Sequence, residues 1–148
     1  MNRRSFTRAL ALALAAAAVL AVPFTNRADV PVHVRVIKGS RKGPAQLPAE
    51  LEPMKRQLSP LAYVRWEQQH EEEMTLKKGK TELVKLPDGD QIGLTVQEES
   101  ATTVTFEVLL VSKKTQSRLT MEKGQRLVHQ VTGEKDGSAF FITVVAWP

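Results

Sequence analysis

The chain contains no cysteine among its 148 residues. This absence excludes disulfide bonds, a catalytic thiol and the lipid-modified cysteine of a lipoprotein. Without covalent cross-links the core must be stable through packing alone, which a chain of this length can achieve as one domain of ordinary size. Histidine is scarce as well, with three copies, so imidazole-based sites have few candidates.

Aromatic residues make up only 5% of the chain. A domain with so few large rings is expected to need them in its core. Tyr63, Trp66 and Trp147 also have a second interpretation, because flat aromatic faces suit sugar rings. The sequence leaves core packing and a carbohydrate platform as alternatives for these rings.

No acidic residue precedes Asp29, whereas residues 2–8 carry three arginines. An uninterrupted, alanine-rich apolar run follows over residues 9–22. A basic segment followed by such a run is typical of a secretory signal peptide. The run is shorter than the roughly 20 residues that a permanent membrane-spanning helix needs, so we expect no permanent span.

Small residues predict cleavage of this leader after Ala21, with Ala28 as the latest alternative. We therefore assign residues 1–28 to a signal peptide and residues 29–148 to one β-rich domain. The predicted location is the bacterial periplasm or the external medium.

The segment Arg3-Arg4-Ser5-Phe6-Thr7-Arg8 resembles a twin-arginine export signal, in which an arginine pair is followed by an aromatic and a basic residue at fixed spacing. Asn2 and Thr7 depart from the residues usual at their positions. The resemblance implies export of an already folded protein, and ordinary Sec export is the alternative.

The formal net charge of +5 comes mainly from this leader. Four of the 21 basic residues precede Asp29 and all 16 acidic residues lie at or after it, so the remainder carries 17 minus 16, or +1. Nucleic-acid binding requires a clustered basic face. We expect no nucleic-acid partner.

Alternating valines at 30, 32, 34 and 36 predict a first strand, with Pro31 indicating either an edge or a strand beginning. Leucine and methionine at 47, 51, 54 and 58 are spaced for one face of a short helix, which Pro53 delays to about Glu52 and Pro60 ends. Strand-like segments at 62–68 and 73–77 follow, and further segments recur about every ten residues to 147.

Glycine-containing turns separate these segments, including Asp136-Gly137 before the last one. The last segment, AFFITVVAW, is apolar on both faces and predicts a central strand. Together the patterns predict an all-β sandwich or barrel-like fold of about eight or nine antiparallel strands, with one short helix after the first strand.

Two polar segments are candidate sites. Arg35, Lys38, Arg41 and Lys42 place four basic residues within eight positions, which suits an acidic polymer, an anionic headgroup or the acidic patch of a partner, although ordinary surface charge is the alternative. In WEQQHEEEM an extended chain directs His70 and Glu72 to one side, so these two residues and His129 are the candidate metal ligands. The alternative there is a solvated, acidic strand edge.

Motifs for catalysis and phosphate binding are missing. The chain has no Gly-x-Ser-x-Gly nucleophile elbow, and its KGSRKG loop lacks the phosphate-loop spacing. We therefore predict no cofactor and a non-enzymatic role.

The order of these features resembles small exported bacterial proteins of unassigned function. The similar parts are the valine-alternating strand at 30–37, the leucine-spaced helix at 47–58, the Leu-Pro-Asp-Gly turn at 86–89 and the last strand at 137–147. The resemblance implies no activity and transfers no site residue. From the residues themselves we expect a binding or assembly component of the cell envelope with a protein partner. A polysaccharide-binding module that uses Tyr63, Trp66 and the basic segment is the first alternative, and a metal-dependent enzyme that uses the three candidate metal ligands is the second.

Overall fold

The computed structural model describes residues 29–147. The predicted signal peptide and its twin-arginine segment lie outside these described residues. The described elements are eight strands, one 3-10 helix and one helical turn: β1 Asp29–Ser40, the 3-10 helix Ala49–Met54, α1 Lys55–Leu58, β2 Arg65–Lys77, β3 Thr81–Lys85, β4 Gln91–Glu99, β5 Thr103–Leu110, β6 Thr115–Glu122, β7 Arg126–Gln130 and β8 Ser138–Ala146. Within this part of the chain, no helix has the length and apolar character needed to span a bilayer.

The strands form two antiparallel sheets of four strands each. The first sheet has the order β2-β1-β8-β7 and the second has the order β3-β4-β5-β6. The mostly-β prediction is confirmed, and the arrangement is sandwich-like rather than one closed barrel. The last strand is central as predicted, since β8 pairs with both β1 and β7.

The main core lies between the two sheets and is built from alternating side chains. The four valines of β1 at 30, 32, 34 and 36 are at most 1% exposed. They belong to one buried cluster with the inward side chains of β4 and β5, among them Leu94 and Phe106. Because alternate residues of a strand share one face, the period-two pattern of the sequence places these side chains in this interior.

A second core covers part of the outer face of the first sheet. Leu51, Met54 and Leu58 from the helical segment pack there against Ile37 and Phe141. This covering explains why Val36 and Ile37 are both fully buried although they point to opposite faces of β1.

The helical segment departs from a regular α-helix at its proline. Residues 49–54 form a 3-10 helix that contains Pro53, and only residues 55–58 form an α-helical turn. Proline has no N–H to donate and crowds the preceding turn, so a regular α-helix cannot run through this position. The predicted stripe still faces inward, with Leu51, Met54 and Leu58 buried.

The two strand-like segments predicted at 62–68 and 73–77 are one continuous strand, so their separation was wrong. β2 pairs with β1 along its whole length, from Arg65 opposite Ser40 to Lys77 opposite Asp29. The intervening polar run remains extended because β2 is an edge strand, where side chains on both faces reach water.

Pro31 marks a strand beginning, not an edge. β1 lies between β2 and β8, and its pairing with β8 begins only at Val32. The Pro31 carbonyl accepts a 3.0 Å hydrogen bond from the Trp147 amide, but proline has no N–H to return a bond to Trp147, so the paired β1–β8 ladder begins at Val32.

Candidate functional site

Three loops meet at one end of the two sheets and form an open groove, which we call the end groove. They are the β3–β4 loop at 86–90, the β5–β6 loop at 111–114 and the β7–β8 loop at 131–137. The groove has a volume of about 950 Å³. Side chains from both sheets therefore contribute to one concave surface.

Local turn chemistry fixes two of these loops. In the β3–β4 loop the Asp88 Oδ1 atom accepts a 2.9 Å hydrogen bond from the Asp90 amide, and Gly89 supplies a positive φ of 93°. In the β7–β8 loop Asp136 and Gly137 both have positive φ, at 54° and 80°, as the predicted two-residue hairpin turn requires. The side chains on these loops are thus held in defined positions.

Asp90 joins the β3–β4 loop to the β5–β6 loop. Its carboxylate accepts hydrogen bonds from the Ser112 amide at 3.2 Å, the Ser112 hydroxyl and the Gln91 amide at 2.7 Å. Burial acts to raise the pKa of Asp90, but these hydrogen bonds and the nearby Lys113 charge outweigh it and lower the pKa below its ordinary value. An ionised Asp90 therefore holds one wall of the end groove together.

The lining of the end groove combines an apolar floor with charges of both signs. Leu110, Ala139 and Phe140 contribute the apolar surface. Three lysines and four carboxylates contribute the charges: Lys38, Lys113, Lys135, Asp88, Asp90, Glu134 and Asp136. Such a lining suits a ligand that carries both cationic and anionic groups beside an apolar one.

A hydrogen-bonded triad connects the end groove to the predicted basic segment. The Arg41 Nε donates to the Glu134 Oε1 at 2.6 Å, and the Tyr63 hydroxyl donates to the same oxygen at 3.0 Å. The Arg41 guanidinium also lies 5.1 Å from the centre of the Tyr63 ring. Hydrogen bonds from Arg41 and then Tyr63 lower the pKa of Glu134, so the carboxylate stays ionised.

The four predicted basic residues do not form one cationic patch. Lys38 lines the end groove, and the chain of Lys42 lies against Gly137 at its rim. Arg35 lies on the outer face of the first sheet, where its NH1 donates to the Glu50 carbonyl at 2.7 Å and to the Gln68 Oε1 at 2.9 Å. Its guanidinium therefore holds the helical segment to the sheet.

Tyr63 and Trp66 lie in the second core, as the packing interpretation predicted. They are 8% and 4% exposed, and with Phe141 they form three edge-to-face contacts with ring centres 5.2–5.9 Å apart. Both contribute to the wall of a smaller cavity of about 370 Å³ beside Leu47 and Leu58. Neither offers the open ring face of a sugar platform, and Trp147, 46% exposed, lies at the opposite end of the sheet.

The metal-ligand candidates are not brought together. His70 and Glu72 are neighbours on β2, with the His70 Nε2 3.2 Å from the Glu72 Oε2. His129 lies on β7 at the other edge of the same sheet, three strand spacings or about 14 Å away. Burial lowers the pKa of His129, which favours its neutral form. Among residues 29–147, no group of three side chains is placed to hold a metal ion.

Sequence reasoning did not assign Asp88, Asp90, Ser112, Lys113 and Glu134 to a site. The turn motifs PDGD at 87–90 and GEKDG at 133–137 indicated two of the three loops, and no motif indicated the loop at 111–114. The order of the strands, which brings the loops to one end, depends on contacts between distant segments and is not contained in either motif.

The triad predicts a specific pH dependence of stability. Since the folded-state pKa of Glu134 lies below its ordinary 4.5, its stabilising contribution is present above pH 4.5 and is lost as the pH falls through the folded-state pKa. Glu134→Gln removes the charge with little change in shape, so we expect its melting temperature to fall below that of the wild type at pH 7 and to approach it as the pH falls below 4.5. Thermal unfolding followed by circular dichroism at low ionic strength measures this difference.

Arg41→Gln provides the matched control, because it removes the main partner of the same carboxylate. In a protein that already carries Arg41→Gln, the fall in melting temperature caused by Glu134→Gln should be smaller at pH 7. A difference between wild type and Glu134→Gln that stays constant from pH 7 to pH 3 would contradict the assigned role of the Glu134 charge.

No protein-family model, curated protein or solved structure matches this chain.

Proposed function

We propose that the protein is an exported, non-enzymatic binding component of the bacterial cell envelope that holds a segment of a protein partner in the end groove. The end groove itself carries this proposal, since it is a concave surface of about 950 Å³ at the loop end of a β-rich scaffold. Loops positioned by a rigid scaffold are a common location for binding residues. The assignment to the envelope rests on the basic and apolar pattern of residues 2–22.

The lining supports a partner segment that carries charges of both signs beside an apolar side chain. Lysines at 38, 113 and 135 suit acidic side chains, and carboxylates at 88, 134 and 136 suit basic ones. The floor at Leu110 and Phe140 suits an apolar side chain between them. A polypeptide segment combines these three features more readily than a neutral glycan, for which the buried faces of Tyr63 and Trp66 offer no stacking surface.

Site-specific photo-cross-linking tests this proposal. A photoreactive residue replaces Lys113 in the end groove, or Lys80 in the β2–β3 turn as the matched lysine position. The purified variants are irradiated in an envelope extract of the bacterium that encodes the protein. We expect one protein to be cross-linked from position 113 but not from position 80. This cross-link should be lost when Lys38 and Lys135 are both replaced by glutamate.

Equal cross-linking from both positions, or none from position 113, would contradict the proposal. The polysaccharide-binding alternative would be favoured if the wild-type protein sedimented with purified cell-wall glycan and the same two charge reversals abolished this co-sedimentation.

A further inference from the structure

Strand β6 differs from the other three sheet edges in the described part of the chain. Edge strands display unpaired backbone groups, and proteins protect them with short strands, bulges, lysine, proline or charges on the core-facing side. β3 and β7 are protected by their length of five residues each. β2 has a register shift opposite Val36 and Ile37, and it places His70 and Glu72 on the core-facing side.

β6 lacks these protections apart from two charged side chains, Arg118 and Glu122, which both lie on its outer face. It is eight residues long and pairs with β5 without a register shift. Its sequence, TQSRLTME, contains no lysine or proline. The residues on its core-facing side, opposite buried side chains of β5, are all uncharged: Thr115, Ser117, Leu119 and Met121.

The hydrogen-bonding pattern shows which backbone groups of β6 point away from the sheet. The Lys123 amide donates to the Thr102 carbonyl of the neighbouring strand at 2.8 Å. Because the direction alternates along an antiparallel strand, the backbone groups of Arg118, Thr120 and Glu122 point outward. Among the described residues, only the Glu122 carbonyl of this set has a backbone partner, the Gln125 amide at 3.2 Å.

We propose that this edge binds a second copy of the same chain, with the two β6 strands antiparallel and Thr120 on the two-fold axis. The inference is independent of the end groove, because residues 118–122 lie at the opposite end of β6 from the β5–β6 loop. In this register the N–H and C=O groups of Thr120 meet those of Thr120 in the second copy. The β3-β4-β5-β6 sheets of the two copies then form one continuous eight-stranded sheet.

Charge complementarity selects this register. With Thr120 on the axis, Arg118 lies opposite Glu122 of the second copy, and the symmetry repeats this pair on the other side. An axis at residue 118 would place Arg118 opposite itself, and an axis at residue 122 would do the same for Glu122. Opposite charges directly across a strand pair are favourable and like charges are unfavourable.

The side chains of this segment are available for the interface. Arg118 contacts Glu98 at 3.5 Å, but both side chains are more than 60% exposed, so the contact holds the guanidinium weakly. Glu122 is exposed. On the core-facing side the same register places the half-buried Leu119 opposite Met121 of the second copy, which extends the apolar core across the interface.

Sedimentation equilibrium over a concentration series tests this proposal. We expect the wild-type protein to dimerise reversibly and Arg118→Glu to raise the dimer dissociation constant at least about tenfold, since two favourable pairs become two like-charge pairs. The double variant Arg118→Glu/Glu122→Arg restores both pairs in reversed polarity and should restore dimerisation. Lys85→Glu, on the opposite edge of the same sheet, is the matched control and should dimerise like the wild type.

Thr120→Pro provides a second test of the backbone pairing. Because the Thr120 N–H points outward, proline removes no backbone hydrogen bond to β5 and only the 2.9 Å hydrogen bond between the Thr120 and Thr105 hydroxyls, so a folded monomer is expected. Circular dichroism confirms that each variant is folded. Any one of three results would overturn the proposal. The wild-type protein could stay monomeric, the dimer could persist in both Arg118→Glu and Thr120→Pro, or the folded double variant could stay monomeric.

Discussion

Replacing Trp66 by alanine is expected to lower the free energy of unfolding by about 3–5 kcal/mol, the range observed when a large buried aromatic side chain is removed. Trp66 is 4% exposed and makes edge-to-face contacts with Tyr63 and Phe141. Its ring also fills the space above Gly39, where an added Cβ would lie 2.8 Å from the Trp66 Cζ3 atom. Since small domains are stable by about 5–15 kcal/mol, the loss is a large fraction of the total.

The chain contains its own control for this substitution. Trp147 is the other tryptophan and is 46% exposed, so Trp147→Ala should cost about 1 kcal/mol or less. Urea unfolding followed by circular dichroism measures both variants. Equal losses in the two variants would contradict the placement of Trp66 in the second core.

Replacing Phe106 by alanine is expected to cost a similar 3–5 kcal/mol, through loss of buried area and the cavity left behind. Phe106 is fully buried in the main core, in one cluster with side chains of the first sheet such as Val34 and Ile142. The substitution therefore tests whether the two sheets are packed against each other, because an uncovered sheet would leave this ring in water.

Leu83→Ala is the matched control on the same sheet. Leu83 lies on the outer face of β3 and is 53% exposed, so its truncation should change stability by about 0.5 kcal/mol or less. Denaturant unfolding of both variants gives the comparison. A loss from Phe106→Ala no larger than that from Leu83→Ala would contradict the shared core between the sheets.

Local sequence patterns determined much of the fold. Alternation over 30–37 predicted the buried face of β1, and Asp136-Gly137 predicted the last hairpin turn, because both signals depend on neighbouring residues alone. The polar run around His70 obscured the continuity of β2. An edge strand needs no apolar alternation when its pairing with a long neighbour supplies the backbone bonds.

The candidate site could be predicted only in part. The basic segment led to Lys38, Arg41 and Lys42, which lie in or beside the end groove. It also included Arg35, whose partners Glu50 and Gln68 are 15 and 33 residues away and cannot be inferred from composition. The acidic side of the groove comes from loops that only the strand order brings together.

The second core and the end groove are coupled through Tyr63. Tyr63 packs against Trp66 and donates its hydroxyl hydrogen bond to Glu134 in the groove lining. Tyr63, in the segment between α1 and β2, therefore supports one wall of the groove without lining it. Stability measurements on Trp66 variants and binding measurements at the groove report on connected parts of the molecule.

Hydrogen–deuterium exchange with the partner that cross-links at position 113 tests the central claim most directly, since it compares every loop in one experiment. We predict slower exchange on binding in the three groove loops, at 86–90, 111–114 and 131–137, with no change in the β2–β3 turn at 78–80. Protection confined to 78–80 or to other segments outside the three loops would contradict the assignment of the end groove as the binding surface.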